Sequence, residues 1–71
     1  MSSHVTVNVE CGRRGRWQVA VPDRQQPVVC ETLSDAIRVG YSSARRQRGC
    51  EIVVRDAYYR VVRREVVDDN G

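Results

Sequence analysis

The chain has 71 residues and a formal net charge of +3, with a sequence pI near 9.1. A chain of this length forms one small domain, so residues 1–71 are treated as a single unit. Hydrophobic residues make up 41% of the chain, which is too many for an acidic or low-complexity disordered segment. No apolar run approaches the ~20 residues of a membrane-spanning helix, and the first residues do not resemble a signal peptide. These features predict a bacterial, cytoplasmic protein that does not bind membranes.

Valine dominates the expected secondary structure. The chain has 14 valines and no phenylalanine, and β-branched side chains suit a pleated, half-buried surface. Valines alternate with polar residues along 4–10, and apolar residues alternate again along 16–21. This period of two is typical of strands with one buried face. Because two glycines lie in 12–15, between the two segments, they predict a β-hairpin.

Three more strands complete the predicted sheet. The short segment 28–31 follows a polar loop, and Pro27 places it at an edge because proline cannot donate to a strand ladder. After a helix, 50–56 is predicted as a more central strand, Asp56-Ala57 as a turn and 58–67 as a long final strand. The acidic tail, 68–71, is expected to fray.

One helix is predicted between the third and fourth strands. Thr32 with Asp35 three residues later resembles a capping box, and Gly49 suits the left-handed position that ends a helix. The helix should therefore run from Leu33 to about Arg48. The face expected to pack on the sheet consists of Leu33, Ala36, Ile37, Gly40, Tyr41 and Ala44. The predicted fold class is α+β, a single antiparallel β-sheet in the order β-β-β-α-β-β with one helix packed on one face.

Few residues are suited to catalysis or metal binding. His4 is the only histidine and lies at the N-terminus, and the adjacent aspartates of the tail have nothing to separate their pKa values. Cys11, Cys30 and Cys50 lack the close pairs that are typical of structural zinc sites. We therefore expect reduced, buried thiols, no metal or other cofactor, no small-molecule substrate and no enzyme activity.

The excess positive charge lies on the predicted helix. Residues 32–48 carry a net charge of +3, against +1 for 1–31 and −1 for 49–71. Arginines near a helix C-terminus offset its macrodipole, whereas those of the loop 12–16 are candidates for holding phosphate. The modest net charge and the lack of recognisable stacking aromatics argue against a nucleic-acid role. The candidate contacts to a nucleic acid or other anion are Arg13, Arg14, Arg16, Arg38, Arg45, Arg46 and Arg48.

Four short motifs also occur in a recognisable order. They are His4-Val5, Trp17-x-Val19, Thr32-x-x-Asp35-Ala36-Ile37 and Glu51-Ile52-Val53-Val54. Across most of 4–56, their order and spacing resemble the small bacterial domain of unknown function numbered 2188, a family that implies a fold without an activity. More loosely, the strands followed by a helix are similar to the sheet-reading DNA-binding domains of some phage integrases and plant transcription factors. Those domains end with the helix.

The sequence favours a non-catalytic accessory or interaction module. A sheet covered by one helix leaves its other face, or an edge strand, available to a protein partner or a second copy of the chain. Val53, Arg55, Arg60 and Arg64 are the candidate contacts on that face, with Val53 expected to be exposed. One alternative is sequence-tolerant nucleic-acid binding through 12–16 and the arginines of the helix C-terminus. Another is a phage-type inhibitor of a host machine.

Overall fold

The computed structural model describes residues 5–22, 24–46 and 50–67. One sheet and one α-helix account for most of these residues, which confirms the predicted α+β class. In chain order, the elements are β1 (Val5–Cys11), a 3-10 helix (Arg13–Gly15), β2 (Trp17–Ala20), β3 (Val28–Cys30), α1 (Leu33–Arg45), β4 (Cys50–Arg55) and β5 (Val61–Val67).

The sheet is mixed, so the prediction of a single antiparallel sheet was wrong. Its strands lie in the order β3-β2-β1-β4-β5, and β1 and β4 are parallel, with Val5 opposite Cys50 and Val9 opposite Val54. The other three neighbouring pairs are antiparallel. This direction follows from the crossover through α1. The helix returns the chain from the carboxyl end of β3 to the opposite end of the sheet, so β4 runs in the same direction as β3 and β1. The structure also contains a 3-10 helix between β1 and β2 that was not predicted.

Strand positions within the sheet agree with the sequence at two points. β3 is an edge strand, as Pro27 predicts, and β4 lies in the interior between β1 and β5. The final strand is shorter than predicted, because the segment 56–60 forms a turn and β5 begins only at Val61. The tail 68–71 lies outside the described residues.

Local sequence explains where α1 begins. Thr32 is its N-cap, and the Thr32 hydroxyl oxygen accepts a hydrogen bond from the backbone N–H of Asp35 at 3.1 Å. The helix ends at Arg45 with Arg46 as its C-cap, whereas the predicted end was near Arg48. Residues 47–49 lie outside the described part of the chain. Among the described residues, no helix is long and apolar enough to cross a membrane.

The core lies between α1 and one face of the sheet. The predicted helix face is confirmed, since Ala36, Gly40 and Ala44 are buried there. A side-chain carbon added at Gly40 would lie 2.9 Å from both Ile52 Cδ1 and Val9 Cγ2. Glycine at this position therefore lets the helix approach the two central strands closely.

The opposite face of the sheet carries both polar side chains and exposed valines such as Val29 and Val66, and the prediction that Val53 would be exposed on it was wrong. Val53 is only 3% exposed and does not belong to the core cluster under α1. Its neighbours across the sheet are Asn8 of β1 and Arg64 of β5. Because β4 is an interior strand, side chains from both adjacent strands cover Val53.

Candidate functional site

Two turns meet at one end of the sheet because β1 and β4 are parallel. Parallel strands bring their carboxyl ends to the same edge, so the turn 12–16 after β1 lies beside the turn 56–60 after β4. The Tyr59 hydroxyl donates a hydrogen bond to the Cys11 carbonyl oxygen at 3.3 Å, which joins the two turns directly. We call this surface the Arg–Tyr end, and its members are Arg13, Arg14, Arg16, Arg55, Tyr58, Tyr59 and Arg60.

The first turn is held closed by its own backbone. The N–H of Gly12 donates to the Arg16 carbonyl at 2.6 Å, and the N–H of Arg16 donates to the Arg13 carbonyl at 3.1 Å. Arg14 takes a left-handed conformation with φ of 59°, followed by Gly15 with φ of 72°. A left-handed arginine costs about 1–2 kcal/mol, so these closing bonds must hold it in place. All three arginines of the turn are exposed.

Asp56 organises the second turn. Its Oδ1 accepts hydrogen bonds from the backbone N–H groups of Tyr58 at 2.8 Å and Arg60 at 3.0 Å. Its Oδ2 accepts from the Arg60 guanidinium at 2.9 Å. The N–H of Arg60, helped by the N–H of Tyr58 and the guanidinium, holds the pKa of Asp56 below its ordinary value. Arg55 adds a hydrogen bond from its guanidinium to the Tyr59 carbonyl at 3.2 Å.

The second turn presents two aromatic rings to solvent. Tyr58 is 79% exposed and Tyr59 is 59% exposed. The Arg60 guanidinium lies 5.3 Å from the centre of the Tyr58 ring, a distance typical of a cation–π contact. The Arg60 guanidinium thus lies over one face of the Tyr58 ring, while most of the side chain remains exposed.

These tyrosines were missed by the sequence analysis. Residue 58 was assigned to the beginning of the last strand, where alternate side chains are expected to be covered. The turn predicted at Asp56-Ala57 extends in the structure to residue 60, because the Asp56 side chain accepts hydrogen bonds from the N–H groups of Tyr58 and Arg60. Sequence alone could not show that this turn meets the one after β1.

Positive charge exceeds negative charge at the Arg–Tyr end. It contains five arginines, and the acidic residues at the same end of the sheet are Asp56, Glu10 near the end of β1, Glu31 after β3 and Asp35 in the first turn of α1. The Asp56 carboxylate is already engaged within its turn. Arg13, Arg14 and Arg16 form no ion pair with any other described residue.

Arg45 and Arg46, at the end of α1, do not join this surface. The helix runs from the carboxyl end of β3 to the amino end of β4, so Arg45 and Arg46 lie near the opposite end of the sheet. Arg38 is exposed on the helix, 4.0 Å from Asp35. Arg48 lies outside the described residues. The anion contacts predicted as one set are therefore split between two ends of the molecule.

The residues predicted for the open sheet face are divided as well. Arg55 and Arg60 belong to the Arg–Tyr end, while Arg64 lies 3.7 Å from the Glu51 carboxylate on the face itself. Val53 is buried between strands. The four residues therefore do not form one contact surface.

The three cysteines are free thiols. Cys30 and Cys50 are buried and Cys11 is half-buried. Burial raises the pKa of the Cys50 thiol, which keeps it protonated and unreactive. Within 5–22, 24–46 and 50–67, no three cysteine, histidine or acidic side chains lie close enough together to hold a metal ion. His4 lies outside those ranges.

Comparison with known proteins identifies no relative of this chain. No family model matches it, and no curated protein or solved structure matches it significantly. The resemblance to the domain of unknown function numbered 2188 therefore stays a prediction.

Proposed function

We propose that the protein is a non-catalytic binding module that holds single-stranded nucleic acid at the Arg–Tyr end of its sheet. The observation that carries this proposal is the Tyr58 ring, exposed to solvent and stacked on Arg60 within a group of five arginines. In the sequence, the lack of recognisable stacking aromatics argues against nucleic acid. With Tyr58 and Tyr59 exposed beside the arginines, that objection no longer applies.

The chemistry of the surface matches the two parts of a nucleotide. A base stacked on an aromatic side chain contributes about 1–3 kcal/mol, and it does so for every sequence because each base has a π face. Arginine guanidiniums bind phosphate oxygens through paired hydrogen bonds. Arg13, Arg14 and Arg16 are exposed for such contacts, next to the turn that carries Tyr58.

A single strand suits this surface better than a duplex. In a duplex the bases are stacked on one another and offer only their edges, whereas an unpaired base can lie on an exposed ring. The surface consists of two short turns, so it can contact only a few nucleotides. We therefore expect weak binding, with a dissociation constant of roughly micromolar or higher at physiological salt.

The first test compares nucleic-acid forms by fluorescence anisotropy. Labelled mixed-sequence DNA and RNA single strands and a DNA duplex are titrated with the protein at two salt concentrations. We expect both single strands to bind more tightly than the duplex, with a log–log salt slope of about −0.7 for each phosphate neutralised. Tighter binding to the duplex, or no binding at low salt, would contradict the proposal.

A matched pair of triple variants tests the surface. Replacing Arg13, Arg14 and Arg16 with glutamine should weaken single-strand binding and flatten the salt slope. The control replaces Arg24, Arg45 and Arg46 with glutamine, which removes the same charge from the opposite end of the sheet, where Arg24 and Arg46 line one cavity. Equal losses in the two triple variants would show that net charge alone attracts the strand and would refute this site.

The ring is tested separately. Tyr58→Ala should weaken binding by about 5- to 150-fold, which corresponds to the loss of one base stack, without changing the salt slope. Tyr58→Phe retains the ring and should bind like the parent protein. Preferential binding to poly-glutamate over nucleic acid would instead identify an acidic protein as the partner and would refute the proposal.

A further inference from the structure

β5 is a seven-residue edge strand whose outer side has no partner among the described residues. Six of its residues are exposed, including Val61, Val62 and Val66. An exposed edge with unpaired backbone groups and apolar side chains is a template for pairing with another strand. The register of the β4–β5 pair shifts at Val62, because Val54 lies opposite Arg63 while Arg55 lies opposite Val61. From residue 63 to 67 the pairing with β4 is regular.

The sequence of β5 is nearly symmetric about its centre. It reads Val-Val-Arg-Arg-Glu-Val-Val from Val61 to Val67. If a second copy of β5 runs antiparallel, with Arg64 on the two-fold axis, Val62 faces Val66 of the partner subunit. In the same register, Arg63 faces Glu65 of the partner subunit. The symmetry produces each of these pairs twice, and opposite charges directly across two strands are favourable.

The helix holds the two charges in place. Arg63 and Glu65 lie opposite Val54 and Ile52 of β4, so both side chains are on the helix side of the sheet. The Arg63 guanidinium donates to the Tyr41 hydroxyl oxygen at 3.3 Å, and that hydroxyl donates to Glu65 Oε1 at 2.5 Å. Each β5 therefore carries a positive charge at Arg63 and a negative charge at Glu65, both held by Tyr41. In an antiparallel copy the order of these charges is reversed, so each charge faces one of opposite sign.

The central position carries like charges that are already compensated. In this register, Arg64 faces Arg64 of the partner subunit on the opposite face of the sheet. Each Arg64 lies 3.7 Å from the Glu51 carboxylate of its own β4. The repulsion across the axis is thereby reduced by two nearby carboxylates.

We propose that β5 pairs antiparallel with β5 of a second copy of the chain, which joins two five-stranded sheets into one. This interface goes beyond nucleic-acid binding and does not depend on it, because it lies along the strand rather than at the Arg–Tyr end. A single strand pair buries little surface, so we expect a dissociation constant in the micromolar range, roughly 1–100 µM.

Sedimentation velocity over concentrations from about 1 µM to about 1 mM tests the proposal, because this range brackets the expected dissociation constant. We expect a reversible monomer–dimer equilibrium. A monomer at every concentration, or growth beyond the dimer, would overturn it, because a two-fold strand pair is closed.

A pair of charge reversals tests the register. Arg63→Glu produces a chain with carboxylates at both 63 and 65, and Glu65→Arg produces a chain with guanidiniums at both. Each variant alone should dimerise at least about tenfold more weakly than the parent, because like charges then face each other twice. Mixed together, the two variants should form a heterodimer, since every cross-strand pair is then opposite in charge. Failure of the mixture to associate, with both variants folded by circular dichroism, would refute this register.

A second pair of variants tests the edge itself. Val66→Asp should abolish the dimer by placing a charge at the apolar pair. The control, Val29→Asp, alters a similarly exposed valine on the other edge strand, where the exposed fraction is 53% against 58% for Val66. If the two substitutions weaken the dimer equally, β5 is not the interface.

Discussion

Asp56 is the residue on which the shape of the Arg–Tyr end depends most directly. Its carboxylate accepts hydrogen bonds from two backbone N–H groups and one guanidinium, and these favour the ionised form. The largest influence is the N–H of Arg60, which lies in the same turn. Tyr58 is exposed on a defined turn because this carboxylate fixes the backbone on either side of it.

The lowered pKa of Asp56 predicts a pH dependence of stability. A carboxyl group whose pKa is lower in the folded chain stabilises the folded state when the pH is above its ordinary pKa of 3.8. This contribution is lost as the pH falls through the lowered pKa. Asp56→Asn cannot ionise, so its free energy of unfolding should decline less than that of the parent below about pH 4. Urea unfolding at neutral pH and at two acidic pH values measures the difference.

Glu31→Gln is the control for this experiment, since Glu31 is an exposed acid outside the turn. The pH dependence of its free energy of unfolding should be closer to that of the parent than the pH dependence of Asp56→Asn is. If Asp56→Asn and the parent lose stability in parallel on acidification, the turn does not depend on the ionised carboxylate.

The packing of α1 on the sheet depends on a small residue at the point of closest approach. Gly40 leaves no room for a side chain, since its added carbon would lie 2.9 Å from Ile52 Cδ1 and Val9 Cγ2. Gly40→Leu should lower the free energy of unfolding by about 1–3 kcal/mol through overpacking. Thermal or denaturant unfolding measures this loss. The control is Ser42→Leu on the exposed side of the same helix, which should change stability by about 0.5 kcal/mol or less.

If Gly40→Leu unfolds at the same temperature as the parent, the helix does not contact Val9 and Ile52 as described. A loss of equal size in Ser42→Leu would instead show that leucine disturbs the helix at any position. Only a loss confined to position 40 agrees with the close packing of helix and sheet.

The direction of β4 also decides where the candidate binding residues lie. Had β4 run antiparallel to β1, the turn 56–60 would lie at the opposite end of the sheet from the turn 12–16. The hydrogen bond from Tyr59 to Cys11 could not form, and the five arginines would be divided. The crossover through α1 therefore creates the candidate site as well as the fold.

At the scale of the whole molecule, stability should rest on packing rather than on metal ions or disulfides. The chain is short enough that its valine core must supply most of the stabilisation, and its three thiols are free. The melting temperature should therefore be unchanged by a chelator and by a mild reductant. Differential scanning calorimetry with and without each reagent tests this. A large decrease in the chelator would reveal a bound metal, and a large decrease in the reductant would reveal a disulfide.

The sequence by itself determined the features that depend on neighbouring residues. Alternating valines identified the strands, Thr32 marked the start of the helix, and Pro27 placed β3 at an edge, because propensity, capping and proline geometry act within a few residues. The helix face that contains Gly40 was also readable, since its period follows from the geometry of the helix alone.

Only the tertiary structure decided how distant segments meet. The burial of Val53 follows from the interior position of β4, and the exposure of Tyr58 follows from the turn that Asp56 organises. The meeting of the turns 12–16 and 56–60 follows from the parallel pairing of β1 with β4. Strand direction is decided by the path of the crossover across the whole sheet, and no local pattern in the chain encodes that path. The sequence therefore identified the arginines of the candidate site as separate residues. Only the tertiary structure shows that two turns meet and place them on one surface.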